Sequence, residues 1–364
     1  MMSRLRIGVI GCGGIAQIQH LPHLVELRDE FEIAGLCDLS RELLDHVGDA
    51  YGVPPERRHV DFHELVARAD IDAVIVCTTG SHAPPAIAAA QAGKHILVEK
   101  PVCYTVAEAE AMAEAADRAG VVYQAAYMKR YDPAFRFAQR RVAEIDDVRF
   151  IQVNHLHPDN ALHLATFDYH VPSDLPAEVI EAGRAESDRL VAEALGRDRV
   201  DAATLSAFGA INGSMIHDIG NLHAMFGSPR RVVSTDIWSG GVALSTVLEY
   251  PGGARAVCSW IDLPELFSFE ETLAVYGSRD RVIASFPTGW SRGVPSDVTV
   301  QWIDAEGHPA TTTRSWQANP FKLELEHFAA CIRRGEQPLT PGREAVEHVA
   351  LVRDIVLAHL EGAA

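Results

Sequence analysis

The sequence lacks long apolar runs and paired cysteines, and both absences exclude classes of protein. No stretch of its 364 residues approaches the ~18 uninterrupted apolar residues of a membrane-spanning helix, and residues 1–8 contain no apolar run of signal-peptide length. The six cysteines are scattered without a CxxC pair. That pattern is typical of small core residues in a reducing compartment and excludes a disulfide framework or a zinc site. We therefore expect a soluble, cytoplasmic protein.

Positive charge is also scarce. The chain has 32 lysines and arginines against 50 aspartates and glutamates, a formal net charge of −18. Nucleic acids and anionic membranes are bound by clustered cations, so neither is an expected partner. A hydrophobic fraction of 48% is that of a globular protein, and the length predicts two domains.

A glycine-rich turn follows the first apolar run. Residues 5–10 read as a buried strand, residues 11–16 are GCGGIA, and a helical pattern runs from Ile15 to Leu27. This GxGxxA spacing is a dinucleotide-binding fingerprint: Gly11 permits the tight turn, Gly13 lets the backbone approach a pyrophosphate, and Ala16 lets helix and strand pack closely. The alternative is a glycine turn that binds no ligand.

An acid ends the second predicted strand, residues 32–37. Asp38 lies at about the ~20-residue offset at which a carboxylate receives the adenosine ribose hydroxyls, which favours NAD over NADP. Ser40 and Arg41 lie close enough to receive a 2′-phosphate, so NADP stays an alternative. Asp38 could equally cap the helix predicted over residues 41–51.

A lysine ends a buried strand in the stretch HILVEKP, residues 95–101. Because Pro101 restricts the residue before it, Lys100 should lie at the carboxyl end of the strand 96–98, where open α/β sheets bind ligands. Thr78, Thr79 and His82 follow another strand, 73–77, at the same edge, so we expect them near the cofactor. The alternative for Lys100 is a solvated strand end.

The pattern of elements predicts an α/β protein whose two halves differ. Strands alternate with helices through the first half, which predicts a doubly wound parallel (Rossmann) sheet. The second half is mostly strands and predicts an α+β domain built on a large, mostly antiparallel open sheet. The expected domains are 1–125 for NAD(P) and 126–340 for substrate and oligomerisation, with a helical insertion near 176–208.

The first half resembles the Gfo/Idh/MocA oxidoreductase family. The matching pieces are GCGGIA at 11–16, Asp38, AGKHILVEKP at 92–101 and KRYDP at 129–133. The resemblance implies that Lys100 is a catalytic residue near the nicotinamide and the substrate hydroxyl. It also implies a homodimer or homotetramer and a last helix, 341–364, that packs back on the cofactor domain. The expected cofactor contacts are Gly11, Gly13, Gly14, Ile15, Ala16, Asp38, Arg41, Thr78, Thr79, His82, Glu99 and Lys100.

A second motif of the family lacks its aspartate in this chain. Inositol dehydrogenases carry an aspartate four residues before a histidine; here the histidine is His217 and the aspartate position is Gly213. Asp218 is adjacent to His217, about 100° around a helix, and cannot simply replace it. His217 is the predicted general base, because imidazole titrates near neutral pH. The alternative is a histidine packed at a helix end.

Further polar residues are predicted to line the substrate pocket. These are Tyr127, Lys129, His155, His157 and Asp218. The histidines and acids after residue 154 match no metal-site spacing, so no metal is expected.

These features together predict an NAD(P)-dependent oxidoreductase. It would exchange hydride between nicotinamide and a secondary alcohol or ketone of a sugar, cyclitol or related polyol. Two alternatives stay open. One is a redox-neutral NAD-dependent sugar lyase, glycosidase or epimerase, and the other is a non-catalytic cofactor-binding sensor subunit.

Overall fold

The computed structural model of the chain describes residues 3–266 and 268–362. Contacts group these residues into two units. The first holds the chain up to Tyr127 together with Phe167–Ala194 and Phe321–Val349, and the second holds Met128–Thr166, Leu195–Pro320 and the chain from Ala350 onward.

The chain up to Tyr127 alternates strands and helices. Its strands are β1 (Leu5–Ile10), β2 (Phe31–Cys37), β3 (Arg58–His59), β4 (Ala73–Val76), β5 (His95–Val98) and β6 (Tyr123–Ala125). Its α-helices are α1 (Leu21–Glu26), α2 (Arg41–Tyr51), α3 (Phe62–Val66), α4 (Ala83–Gln91) and α5 (Val106–Ala119), with a π-helical turn, Ala16–His20, before α1.

The remainder of the chain contains a second set of helices and strands. The helices are α6 (Pro133–Val142), α7 (Ala161–Leu164), α8 (Ala177–Ala194), α9 (Ala202–Ala210), α10 (Ile216–Phe226), α11 (Pro320–Arg334) and α12 (Glu344–Gly362). The strands are β7 (Phe150–His157), β8 (Arg231–Trp238), β9 (Ala243–Glu249), β10 (Arg255–Asp262), β11 (Glu270–Tyr276), β12 (Asp280–Phe286), β13 (Ser296–Ile303) and β14 (Pro309–Trp316).

The first sheet is parallel and doubly wound. Its strand order is β3-β2-β1-β4-β5-β6, and all its pairings are parallel. The residues of β4 are all buried, as expected for a strand that helices cover on both faces. The second sheet has the order β14-β13-β12-β11-β7-β10-β9-β8 and is antiparallel except for the β7–β10 pair. Both parts of the predicted fold class are confirmed.

Capping side chains fix several helix ends at the positions predicted from the sequence. Ser40 accepts a hydrogen bond from the Leu43 amide and begins α2, and Gly52 ends it in the left-handed conformation. The Asp132 carboxylate likewise accepts from the Ala134 amide and begins α6, with Pro133 at its first position. The predicted helices 41–51 and 132–142 are confirmed to within one residue at each end.

The grouping of residues differs from the predicted domain boundaries at three places. Residues of α11, among them Phe328, pack into the hydrophobic core of the first unit with Ile7 and Val9 of β1. Residues 167–194, which the sequence placed in the second domain, also belong to the first unit. The last helix is shared, because the first unit includes residues up to Val349 and the second unit those from Ala350.

Two further observations complete the fold. Residues 309–316 form β14, which the sequence did not predict because the run PATTTRSW has little apolar alternation. Within the described ranges, no helix combines the length and the apolar character needed to cross a membrane.

Candidate functional site

The glycine turn lies at the carboxyl end of β1. Gly11 has φ +92°, and a Cβ there would stand 2.5 Å from the carbonyl carbon of Cys77, so only glycine fits. Around Gly13, by contrast, no described residue beyond its chain neighbours comes within 4 Å of the Cβ position. The backbone at Gly13 is thus open to a ligand. The fully buried Ala16 begins the π-helical turn that follows.

Asp38 is held against this turn by backbone amides. One carboxylate oxygen accepts from the Cys12 amide at 2.8 Å, and the other accepts from the Ser40 amide at 2.9 Å. Each oxygen keeps lone pairs for further donors, and a ribose offers two hydroxyls. The cradle at Gly13 and the carboxylate beside it therefore fit a dinucleotide. Arg41 comes directly after Ser40 and is the first residue of α2.

His82 joins the loops that follow β4 and β5. Its ring is buried, with Nδ1 2.6 Å from the Pro101 carbonyl oxygen and Nε2 2.7 Å from the Thr78 carbonyl oxygen. Burial lowers the pKa of His82, although the two carbonyls oppose the shift. Both ring nitrogens of His82 are engaged by backbone carbonyls. The residue therefore holds in place the loop that carries Thr78 and Thr79.

Glu99 and Lys100 follow the carboxyl end of β5. Glu99 is buried; its Oε1 lies 2.8 Å from His20 Nε2, and its Oε2 accepts from the Lys100 amide at 3.0 Å. Burial alone would raise the pKa of Glu99, but the hydrogen bond and charge of His20, with the Lys100 charge, outweigh it and lower the pKa. Glu99 thereby fixes the backbone of Lys100 and ties it to the helix that follows the glycine turn.

These residues meet at one edge of the first sheet. Gly11, Asp38, Thr78 and Lys100 follow β1, β2, β4 and β5, and the carboxyl ends of parallel strands share an edge. Ligands of open α/β sheets bind outside that edge. The predicted cofactor residues are thus brought together in the first unit.

A buried polar cluster forms independently in the second unit. It is centred on His155 of β7, which faces Trp260 of β10 and Glu271 of β11 in register. His155 Nδ1 lies 3.0 Å from Asp218 Oδ2 of α10 and 3.7 Å from Glu271 Oε2. His155 Nε2 lies 3.2 Å from the hydroxyl of Ser214.

The carboxylate of Asp218 places a proton on one nitrogen of the His155 ring. Because an ionised carboxylate only accepts hydrogen bonds, Nδ1 carries a proton and donates to Asp218. The Trp260 indole N–H donates to the Ser214 hydroxyl oxygen at 3.0 Å, and the same hydroxyl lies within hydrogen-bond distance of His155 Nε2. The second histidine, His157, stacks on the Trp260 ring at 5.6 Å, and its Nδ1 lies 3.4 Å from His155 Nε2.

Lys129 supplies the positive charge of the cluster. Its buried ammonium forms an ion pair with Glu271 and lies 5.7 Å from the centre of the Phe269 ring. Burial raises the pKa of Glu271, and the Asp218 charge adds to that rise while Lys129 and His155 oppose it. His155, Asp218 and Glu271 could also hold a metal ion. The ammonium of Lys129 already neutralises Glu271, however, and the expected absence of a metal stays a prediction.

The sequence identified four members of this cluster and missed the others. Lys129, His155, His157 and Asp218 were predicted pocket residues, and the structure brings them together. Glu271, Ser214, Trp260 and Phe269 were not predicted. A signal existed for Glu271, since it is in phase with the buried Leu273 and Val275 along β11 and a lone acid on the inner face of a strand is unusual.

The remaining predicted residues lie elsewhere. Tyr127 is buried in the first unit with its ring 5.2 Å from that of His348. His217 is buried at the second position of α10, one residue before Asp218. Gly213 lies in a π-helical turn, Ile211–Met215, with no described atom beyond its helix and neighbours within 4 Å of its Cβ position. The carboxylates of the cluster come instead from Asp218 and Glu271.

Comparison with known proteins agrees with this geometry. Residues 5–127 match the family model described as "Oxidoreductase family, NAD-binding Rossmann fold". The chain is 26% identical to myo-inositol 2-dehydrogenase of Thermotoga maritima, over 66% of this chain and 78% of that protein. It is 25% identical to D-apiose dehydrogenase of Paraburkholderia graminis, over 99% and 89%.

A solved structure shares the fold over almost the whole chain. It is the aldose-aldose oxidoreductase of Caulobacter crescentus complexed with glycerol, with a TM-score of 0.73 and 21% identity, covering 99% of this chain and 98% of that one.

Proposed function

We propose, from the premise that this chain belongs to the Gfo/Idh/MocA family of NAD-binding oxidoreductases, that it oxidises a secondary alcohol of a sugar, cyclitol or related polyol, or reduces the matching ketone. The observation that carries the proposal is the edge of the first sheet, where an open glycine turn, the Asp38 carboxylate held by backbone amides, and Lys100 all follow strands of one parallel sheet. The relatives named for inositol and apiose support a polyol as the substrate.

The residues of the first unit bind and orient the cofactor. The glycine turn and the first turn of the following helix would offer backbone N–H groups to the pyrophosphate, and the Asp38 carboxylate would accept hydrogen bonds from the ribose hydroxyls. The nicotinamide supplies the hydride acceptor. Lys100 donates a hydrogen bond to the substrate oxygen and stabilises negative charge that develops on it. Glu99 and His82 keep the Lys100 loop in position through the bonds described above.

The residues of the second unit act on the substrate. His217 accepts the proton of the substrate hydroxyl as the hydride leaves, since an imidazole titrates near neutral pH, as a general base must. His157 and the cluster around His155 offer donors and acceptors suited to a polyol. Asp218 holds the tautomer of His155, so it acts as a positioning residue. Lys129 balances the buried charge of Glu271. Tyr127, a residue of the first unit, keeps its predicted role as a substrate contact.

We also propose that the protein works as a homo-oligomer in the cytoplasm. The outer strand β8 exposes Val233 and Trp238, which are large apolar side chains on a sheet edge. Burial raises the pKa of the Cys37 thiol to about 12 and that of Cys331 to about 11, so both thiols stay protonated. Buried thiols that form no disulfide suit a reducing compartment.

Replacement of Lys100 by alanine tests the catalytic proposal. With NAD and a panel of sugars and cyclitols, the wild-type protein should accumulate reduced nicotinamide. Lys100→Ala should lower kcat by at least about a hundredfold while the Kd for NAD stays within about threefold. The matched control is Lys322→Ala, which removes a half-exposed lysine paired with Glu26 on the surface of the same unit.

Three results would contradict the proposal. Unchanged turnover of Lys100→Ala removes Lys100 from the mechanism. Product without accumulating NADH favours a redox-neutral lyase or epimerase. NAD binding without turnover across the whole panel favours a sensor subunit.

A further inference from the structure

Residues 167–174, called here the covering segment, lie on the nucleotide-binding edge of the first unit. The Tyr169 ring is 3.8 Å from the Cβ position of Gly14, within the glycine turn. The Gln17 side chain bonds both backbone groups of His170: its amide nitrogen donates to the carbonyl at 3.0 Å, and its oxygen accepts from the N–H at 2.8 Å. The segment is therefore fastened directly beside the predicted pyrophosphate position.

The covering segment also binds the first turn of α2. His170 Nε2 lies 2.6 Å from Glu42 Oε1, and the amide and hydroxyl of Ser173 both donate to Glu42 Oε2 at 3.0 Å. The His170 ring stacks on His46 at 4.5 Å. Several independent bonds thus set the position of the next residue, Asp174.

Asp174 occupies the amino terminus of α2 with a carboxylate. Its Oδ1 accepts from the Ser40 hydroxyl at 2.5 Å, and its Oδ2 accepts from the Glu42 amide at 3.0 Å. Two hydrogen bonds hold the pKa of Asp174 below its usual range. The larger effect comes from the Glu42 backbone N–H and the smaller from the Ser40 hydroxyl. A negative charge from another part of the chain therefore lies among the donors of this helix.

Those donors are the ones that a 2′-phosphate would need. Asp38 marks the ribose position through its bonds to the Cys12 and Ser40 amides. A phosphate on the ribose 2′-oxygen must be received by groups just beyond Asp38, which are the Ser40 hydroxyl, the amides of the first turn of α2 and the Arg41 side chain. Asp174 already uses the Ser40 hydroxyl and the Glu42 amide. A phosphate dianion would also meet the negative charges of Asp38 and Asp174.

We propose that Asp174 is a specificity-determining residue that selects NAD against NADP by placing a built-in carboxylate where the 2′-phosphate would bind. The inference deepens the proposed function and rests on it, since it concerns the same nucleotide site.

Equilibrium binding of NAD and NADP tests this assignment without any need for turnover. Isothermal titration of the full chain should show tighter binding of NAD than of NADP. Asp174→Ala should strengthen NADP binding by about tenfold or more and leave the Kd of NAD within about threefold. Because the repulsion acts at an exposed site, the gain in NADP affinity should be larger at low than at high ionic strength.

Two further variants separate the mechanism from general effects. Asp168→Ala removes the same charge from an exposed position of the covering segment and should leave the ratio of the two affinities unchanged. Asp174→Asn keeps the size of the side chain and should shift the ratio in the direction of Asp174→Ala even if the alanine variant fails to fold.

An unchanged ratio in Asp174→Asn, or an equal shift in Asp168→Ala, overturns the assignment while the proposed function stands. A wild-type chain that binds NADP more tightly than NAD also overturns it. A wild-type chain that binds neither nucleotide refutes the proposed function itself.

Discussion

The two units of the molecule organise polar groups in opposite ways. In the first, the groups that we propose to bind the cofactor are mainly backbone amides and a carboxylate held by amides, and the turn from Gly11 to Ala16 is continuous in sequence. In the second, side chains from strands, helices and a π-helical turn meet in one buried cluster around His155. A site made of backbone should depend on a few glycines, whereas a site made of buried side chains should depend on every partner.

Loss of the ion pair between Lys129 and Glu271 should have the largest effect on the stability of the second unit. Lys129→Met leaves the buried Glu271 carboxylate without its ammonium partner, which should cost about 3–5 kcal/mol of unfolding free energy. Urea unfolding measures the loss. The double variant Lys129→Met/Glu271→Leu removes both charges and should recover much of it.

The pH dependence of the same variant checks the cause. Burial raises the folded-state pKa of Glu271, so ionisation of this group opposes folding, and that cost grows as pH rises above the unfolded-state pKa. Without Lys129 the loss of stability should therefore be larger at high pH than at low pH. Lys322→Met, on a half-exposed pair, should cost no more than about 1 kcal/mol. A loss for Lys129→Met as small as this would contradict the cluster as described.

Two glycines of the turn should separate folding from binding in the first unit. Gly11→Ala meets the Cys77 backbone and a positive φ, so it should destabilise the fold by about 1–3 kcal/mol. Gly13→Ala meets no described atom within 4 Å beyond its neighbours and should change stability by no more than about 0.5 kcal/mol. The new methyl group would nevertheless occupy the space of the pyrophosphate, so NAD binding should weaken at least about tenfold.

Thermal unfolding and NAD titration of both glycine variants give the readout. If Gly13→Ala binds NAD as the wild type does, the open space at Gly13 is not where the dinucleotide lies, and the backbone character of this site is refuted.

The same contrast explains how much the sequence could predict. The glycine turn, Asp38 and Lys100 were found because each lies next to its strand, and α2 was bounded correctly by Ser40 and Gly52. β7 was predicted to end at Asn154, yet it continues to His157, since His155 and His157 follow Ile151 and Val153 on one face but are polar. Their phase along the strand was the available signal.

Contacts between distant parts of the chain could not be predicted from the sequence. Nothing local in residues 167–174 indicates that they lie on a turn some 150 positions earlier, and Gln17 and His170 are 153 residues apart. The sequence treated the following helix as an insertion in the second domain for the same reason. Pairings of this kind depend on the tertiary fold and leave no periodicity or spacing to detect.

A buried acid in the first unit gives a test whose effect depends on pH. Glu99 has His20 as a partner, whereas neither carboxylate oxygen of the fully buried Glu324 has a hydrogen bond among the described residues. Burial, followed by the charge of Glu99, raises the pKa of Glu324 well above its usual value. A carboxyl whose folded-state pKa is raised stabilises the fold below its unfolded-state pKa, and this contribution is lost as pH rises.

Glu324→Gln should therefore gain about 1–3 kcal/mol over the wild type at slightly alkaline pH and little near pH 5. Thermal unfolding across that range measures the difference between the two curves. A constant difference at all pH values would mean that Glu324 does not change its protonation on unfolding, and the first unit would then tolerate a buried carboxylate without a partner.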